Sequence, residues 1–154
     1  MRIEKAEFDD LHVILTVQYL AYQSQAQLCN DFAIPPLTET LEEAIKVFPA
    51  LVMLKAVDGN SAIVGSVRGR PEGDTCHVGR LLVHPEYQGR GIGTQLLLEI
   101  EAACPKPRYE LFTSNLSVDN IRLYERMGYV LFREEDYSAG YKLVYMEKHS
   151  PSHV

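Results

Sequence analysis

A strand, a glycine-rich turn and a helix follow one another in the middle of this 154-residue chain and constrain its fold more than any other feature. The apolar segment from Val78 to Val83 predicts a strand that ends at the turn His84-Pro85. Glycines then alternate at Gly89, Gly91 and Gly93, and a helical pattern follows. Glycine lets the backbone approach a ligand closely, and the first helical turn has unpaired amide N–H groups. The sequence therefore predicts a cradle for a polyanion such as a pyrophosphate.

Two segments of the chain carry motifs of a known family. The pattern Gln88-x-x-Gly91-x-Gly93 after a strand is similar to the acetyl-CoA loop of the GNAT superfamily of N-acetyltransferases. Downstream, Leu123-Tyr124-Glu125-x-x-Gly128-Tyr129 looks like the end of the helix that brings a tyrosine to the thioester sulfur. The family often has asparagine seven residues before this tyrosine, where this chain has Ser117, so Asn120 is an alternative contact for the cofactor.

Composition and charge limit the class of protein. The length suits one domain, residues 1–154, and 46% hydrophobic residues are enough for a core. Without a long apolar run or a signal-like N-terminus, we expect no membrane association and a cytoplasmic location. Three cysteines without metal-ligand spacing predict free thiols and no metal site. A net charge of −6 argues against nucleic-acid binding.

The order of predicted elements indicates one α/β domain. Strands are predicted at residues 2–6, 51–57, 62–70, 75–83, 109–113, 130–133 and 141–147, and helices at 10–22, 40–48, 91–103 and 120–127. Residues 24–38 are predicted to be a loop because they contain Pro35-Pro36. With the resemblance, the prediction is a mixed sheet of about seven mostly antiparallel strands, with helices on both faces and a splayed central strand pair.

The resemblance also implies where acetyl-CoA binds. Pantetheine would lie in a split between Val83 and Leu111, against the main chain of Leu81, Leu82 and Val83, with the Val83 N–H near the acetyl carbonyl. That N–H would then stabilise an oxyanion. Pyrophosphate would bind the loop made of Gln88, Gly89, Arg90, Gly91, Ile92, Gly93 and Thr94. A solvated surface position is the alternative for Arg90.

Acetyl transfer to an amine needs an acid and a route for the amine proton. The resemblance assigns the acid to Tyr124, whose alternative role is a core aromatic residue. Strand alternation places His77 and Gly79 on one face with Leu81 and Val83, which makes His77 a candidate base. The alternative for His77 is a hydrogen bond to the neighbouring turn.

The acceptor would meet the first helix and its following loop, which carry Tyr22, Gln23, Asp31 and Glu39. Their acidic side chains could hold a cationic amine, either a small molecule or a peptide amine; capping and solubility are the alternative roles. The resemblance also implies that the protein forms a homodimer. Two other functions stay open: a sensor of this fold that binds acyl-CoA without turnover, and a module that binds another phosphate ligand.

Overall fold

The computed structural model describes residues 1–137 and 140–150; residues 138–139 and 151–154 of the predicted domain lie outside this description. Within the described residues the chain forms a seven-stranded sheet, which confirms the predicted α/β class. The strands are β1 Arg2–Lys5, β2 Val52–Val57, β3 Ile63–Glu72, β4 Thr75–Val83, β5 Arg108–Ser114, β6 Val130–Asp136 and β7 Lys142–His149. The helices are α1 Leu11–Ala21, α2 Gln23–Cys29, α3 Pro35–Thr38, α4 Leu41–Val47, α5 Ile92–Ala103 and α6 Val118–Arg126.

The sheet is split in its centre. Its order is β1-β2-β3-β4-β5-β7-β6, and every neighbouring pair is antiparallel except β4 and β5. Within the described chain these two parallel strands pair through three residue pairs, Thr75–His77 with Arg108–Glu110. Beyond His77 the strands diverge, as predicted for the segments that contain Val83 and Leu111. The divergence opens one edge of β4.

A β-bulge in β4 overturns the predicted side-chain alternation. Gly79 pairs with Arg68 and Leu82 pairs with Ser66, so two β4 residues oppose Val67 alone. The extra residue is Arg80, which has a left-handed φ of 47°. As a result Leu81 and Val83 pack against the α5 side of the sheet. The prediction that they share a face with His77 and Gly79 is therefore wrong, because a bulge reverses the alternation beyond it.

Residues 24–38 are also not the predicted loop. The segment forms most of α2 and all of α3, and Asn30 ends α2 in the left-handed conformation, with φ of 50°. Pro35 starts α3, where a proline costs nothing because the first helical N–H groups have no partners in the helix. The proline pair was thus misinterpreted as a loop signal. None of the described helices has the length and apolar character needed to cross a membrane.

Helix α5 packs closely on one face of the sheet, while α1 covers the other. The buried side chains of α5, Leu96, Leu97 and Ile100, lie over β2 to β4. Gly69 on β3 makes this approach possible, since a Cβ there would lie 3.0 Å from the Cys76 Sγ and 3.1 Å from the Ile100 Cγ1. The close packing fixes α5 against β3 and β4.

Gly69→Ala should lower the free energy of unfolding by about 1–3 kcal/mol, because an added methyl overpacks a filled core. Urea denaturation measures the change. Gly79→Ala is the matched control on β4, where no atom of the described residues lies within 4 Å of the added carbon. Equal effects of the two substitutions would mean that helix–sheet contact does not limit residue 69.

Candidate active site

A cleft of about 780 Å³ opens where β4 and β5 separate. Its walls come from the end of α1 and from α2, from the end of β4, from the glycine loop and start of α5, and from the start of α6. The predicted site residues among its lining are Tyr22, Leu81, Leu82, Val83, Gln88, Gly89, Gly91, Ile92, Gly93, Thr94 and Asn120. The fold therefore brings together three separate parts of the sequence, at Tyr22, from Leu81 to Thr94, and at Asn120.

The glycine loop turns the chain sharply into α5. Gly89 and Gly91 have φ of 78° and 79°, in the left-handed region that favours glycine. The N–H of Gln95 donates to the Gly91 carbonyl at 3.1 Å as α5 begins, so the three preceding amides fall before the helical hydrogen-bond pattern. Those amides belong to Ile92, Gly93 and Thr94, all of which line the cleft. This geometry suits phosphate oxygens.

The backbone of Val83 also points into the split. The His84 N–H donates to the Val64 carbonyl across the β3–β4 pair at 2.7 Å. Since bonding directions alternate along an antiparallel strand, the groups of Val83 point away from β3. The Gln88 Nε2 donates to the Val83 carbonyl at 3.3 Å from the open side, in agreement with this direction. The Val83 N–H is thus directed into the split.

Helix α6 contributes a buried polar atom without a partner. Ser117 precedes the helix and lines the cleft, but its side chain makes no capping hydrogen bond with the described residues. Its Oγ is buried and unpaired within the same part of the chain. An unpaired buried hydroxyl is costly and is normally satisfied by a ligand or water. Asn120, one helical turn later, donates to the Thr113 Oγ1 at 3.4 Å.

Tyr124 lies behind the cleft wall rather than on it. Its ring is buried in the core, 6.1 Å from the Tyr129 ring. Burial raises the pKa of Tyr124, and the nearby Tyr22 raises it further. Among the described residues none hydrogen bonds to the Tyr124 hydroxyl, and that oxygen is not one of the fully buried unpaired atoms. The hydroxyl therefore has some access to solvent, and its raised pKa favours the protonated form.

Tyr22 connects the cleft to a buried charged cluster. Its hydroxyl donates to the Leu81 carbonyl at 3.2 Å. Burial raises the pKa of Tyr22, whereas the charges of Arg80 and Arg68 oppose that shift. The phenol thus lies between the unpaired β4 edge and two guanidinium groups.

Glu39 accepts hydrogen bonds from three side chains. The Arg68 Nη2 donates to its two oxygens at 2.9 and 2.8 Å, the Arg80 Nε donates at 3.2 Å, and the Gln18 Nε2 donates at 2.9 Å. Burial alone would raise the pKa of Glu39, but the Gln18 hydrogen bond and the arginine charges outweigh it and lower the pKa. Glu39, which was predicted to bind the acceptor amine, pairs with two arginines in the structure. We call Glu39, Arg68 and Arg80 the arginine cluster.

The remaining predicted residues lie outside the cleft lining. The Asp31 carboxylate accepts from the Tyr141 hydroxyl at 2.6 Å. Arg90 lies over the Tyr87 ring at 4.9 Å, and its Nη2 donates to the Glu86 carbonyl at 3.3 Å. His77 lies at the last β4–β5 pair, with its Nε2 3.0 Å from a Glu72 oxygen. That contact corresponds to the structural alternative, since Glu72 adjoins the β3–β4 turn.

Glu39→Gln should destabilise the protein by about 3 kcal/mol at neutral pH, because it leaves two partly buried guanidinium groups without a counter-charge. The lowered pKa of Glu39 sets the pH dependence: its contribution is complete above about pH 4.5 and is lost as pH falls through the lower folded value. The difference between the two proteins should therefore shrink in acid. Urea denaturation at about pH 7 and pH 4 checks both points, with the exposed Glu135→Gln as control. A cost at Glu39 no larger than at Glu135 would contradict the prediction.

A family comparison identifies the class of protein. The acetyltransferase (GNAT) domain model matches residues 21–150, most of the chain. The chain belongs to the GNAT acetyltransferase family. Acetyltransferases of two Yersinia pestis strains, Pestoides F and Antiqua, are 33% identical to it over 94 residues. This match covers 58% of the chain and 64% of each relative, so the chain spans less than two thirds of the length of those relatives.

Solved structures share the GNAT fold at low sequence identity. The paia N-acetyltransferase of Thermoplasma acidophilum, solved with coenzyme A, superposes with a TM-score of 0.78 at 18% identity over 97% of this chain and 100% of its own. The protein yncA from Salmonella typhimurium, solved with acetyl-CoA as its cofactor, gives 0.76 at 19% identity over 100% and 96%. At these identities the likeness establishes the fold alone.

Two features in and beside this GNAT cleft were not predicted from the sequence. Ser24, Gln25 and Leu28 line it from α2, which was predicted as loop. The arginine cluster joins residues up to 41 positions apart, and no local spacing marks it. The described residues contain no group of His, Cys, Asp and Glu side chains able to hold a metal ion.

Proposed function

We propose that this GNAT protein transfers the acetyl group of acetyl-CoA to a primary amine by direct attack in a ternary complex. The proposal rests on one observation: a single cleft contains both the unpaired edge of β4 and the glycine loop that leads into α5. A thioester with a long pantetheine arm and a pyrophosphate needs both features. Relatives solved with coenzyme A or acetyl-CoA support the same ligand.

The residues of the cleft suit this cofactor. The amides of Ile92, Gly93 and Thr94 supply donors for pyrophosphate at the positive end of α5. The positive φ of Gly91 leaves space for phosphate, since no atom of the described residues lies within 4 Å of a Cβ built there. The unpaired Ser117 Oγ on the opposite wall is a further donor for the cofactor.

In the reaction the amine nitrogen attacks the thioester carbon, the C–S bond breaks, and sulfur leaves as a thiolate. The Val83 N–H points into the split and is our candidate donor to the transient oxyanion. Tyr124 retains its proton because burial raises its pKa, so its hydroxyl can donate to the leaving sulfur. The attacking amine loses one proton, for which a water molecule is the acceptor in this proposal, because His77 lies outside the cleft lining and on the face of β4 opposite Val83.

The cysteines favour direct attack over an acetylated enzyme. Cys29, Cys76 and Cys104 are all buried in the described structure. Burial raises the pKa of Cys76, and a hydrogen bond with Cys104 raises it further, which disfavours the thiolate that a nucleophile requires. None of the three lines the cleft within the described residues.

The test combines binding with turnover. Calorimetry with acetyl-CoA, coenzyme A, NAD and ATP should give tight binding of the two thioester-related ligands alone. Thiol release should then appear with members of a primary-amine panel. Preference for NAD or ATP would favour the phosphate-ligand module, and acetyl-CoA binding without thiol release for any amine would favour the sensor.

The acceptor is an amine of a small molecule or of a peptide in this proposal. Tyr22 is the predicted acceptor residue that lines the cleft, and it lies at the α1–α2 junction. A homodimer remains a prediction from the resemblance, and a cytoplasmic location remains a prediction from the sequence.

A further inference from the structure

The arginine cluster carries more positive than negative charge. Glu39 provides one carboxylate for Arg68 and Arg80, whose side chains are 12% and 22% exposed. Other acids on this face have cations of their own: Glu72 contacts Arg70 at 3.3 Å, and Glu110 contacts Arg108 at 2.9 Å. One excess positive charge is therefore held in a partly desolvated place, where a second anion would be favoured.

Several guanidinium donors of the cluster are available to that anion. Arg80 uses its Nε for Glu39, and Arg68 uses its Nη2. The other nitrogens of both groups make no hydrogen bond in the described part of the chain. They are also absent from the buried unpaired atoms found there, so solvent reaches them. Two planar guanidinium groups with free N–H donors match the geometry of a carboxylate.

The β4 bulge aims these donors at open space. The left-handed φ of Arg80 is unfavourable for a residue with a side chain, by about 1 kcal/mol. The bulge places Arg80 on the same face of the sheet as Arg68, which pairs with Gly79 on the neighbouring strand. Above Gly79 no atom of the described residues lies within 4 Å of a built Cβ. Strained residues of this kind are concentrated at ligand sites.

The cluster is also close to the proposed site of reaction. Arg80 precedes Val83 by three residues, roughly 10 Å along a strand. Tyr22 lies between them, since its hydroxyl binds the Leu81 carbonyl and both arginine charges affect its pKa. A small molecule that contacts the arginines can therefore extend its amine to the end of β4.

We infer that the acetyl acceptor carries a carboxylate in addition to its primary amine, and that Arg80 and Arg68 bind this carboxylate above Gly79. The inference rests on the acetyl transfer proposed above. In this inference the acceptor resembles an amino acid and is held through its carboxylate by arginines, whereas the sequence predicted that acids hold a cationic amine.

Matched pairs of acceptors test it in the wild-type protein by thiol release. Phenylalanine is compared with phenethylamine, β-alanine with ethylamine, and O-phosphoethanolamine reports on phosphate. The carboxylate member of each pair should have a kcat/KM higher by about tenfold or more, the effect of one or two hydrogen bonds to a charged group. Equal or better turnover of the decarboxylated amines, or a preference for the phosphate, would overturn the inference while acetyl transfer stands.

Arg80→Gln should remove the preference without weakening acetyl-CoA binding in calorimetry. Its kcat/KM should fall about tenfold or more for carboxylate acceptors and stay constant for decarboxylated ones. Arg133→Gln, an exposed arginine on β6, is the control for net charge and should keep the preference. Arg68→Lys serves as a second variant if Arg80→Gln does not fold. A preference that survives both cluster substitutions would overturn the assignment, whereas failure of the wild type to bind acetyl-CoA would instead overturn the proposed function.

Discussion

Gly91→Val should weaken acetyl-CoA binding by about a thousandfold, equivalent to the loss of roughly two charge-assisted hydrogen bonds. Gly91 precedes α5 with φ of 79°, which directs the first helical amides into the cleft. A valine would strain this conformation and fill the space for phosphate. Because no atom of the described residues lies within 4 Å of its Cβ position, the side chain meets the ligand rather than the core. Calorimetry with acetyl-CoA measures the loss, and thermal unfolding monitors the fold.

Gly73→Val provides the matched control. Gly73 has a positive φ of 57° and equally open surroundings among the described residues, but it lies in the β3–β4 turn. It should show similar backbone strain and unchanged acetyl-CoA affinity. Unchanged binding in a folded Gly91→Val protein would exclude the glycine loop as the phosphate site.

Tyr124→Phe should reduce kcat by about 10²–10⁴-fold, the usual contribution of a positioned general acid. The substitution removes one hydroxyl and leaves the ring in the core, so acetyl-CoA affinity should change little. The measurement requires conditions in which chemistry limits the rate, established by the absence of a viscosity effect.

A neighbouring tyrosine offers the control for Tyr124→Phe. Tyr129 is also buried, but its hydroxyl donates to a Glu101 oxygen at 2.8 Å, on the core side. Tyr129→Phe should lower stability by about 1–2 kcal/mol and leave kcat unchanged. If Tyr124→Phe keeps full kcat as well, Tyr124 is a packing residue and not the acid.

Local sequence signals predicted the parts of the cleft that short-range geometry determines. The predicted bounds of β4, Thr75 to Val83, agree with the structure because turns delimit the strand on both sides. The glycine-rich turn after β4 was predicted, and its Gly89 and Gly91 adopt the left-handed conformation that other residues adopt only at a cost. The split beside Val83 came from the family resemblance rather than from any residue in the strand.

The bulge and the arginine cluster were beyond local prediction. Nothing in Gly79-Arg80-Leu81 resembles a turn, and the left-handed Arg80 contacts Glu39, which lies 41 residues earlier in the sequence. Helix α2 was not predicted because the proline pair that follows it within residues 24–38 is typical of a loop. Which acids pair with which cations depends on tertiary packing. The sequence therefore could not show that Glu39 pairs with two arginines, and Glu39 was expected to face an amine.

The short pairing between β4 and β5 ties the persistence of the fold to the supply of its ligand. Two halves of the described sheet meet through three residue pairs, Thr75–His77 with Arg108–Glu110. A molecule bound between the diverging strands takes up backbone groups that otherwise face water. By mass action, a hundredfold excess of free ligand over its dissociation constant adds about 2.7 kcal/mol to the free energy of unfolding. The lifetime of the protein against proteolysis would then rise and fall with the acetyl-CoA concentration around it.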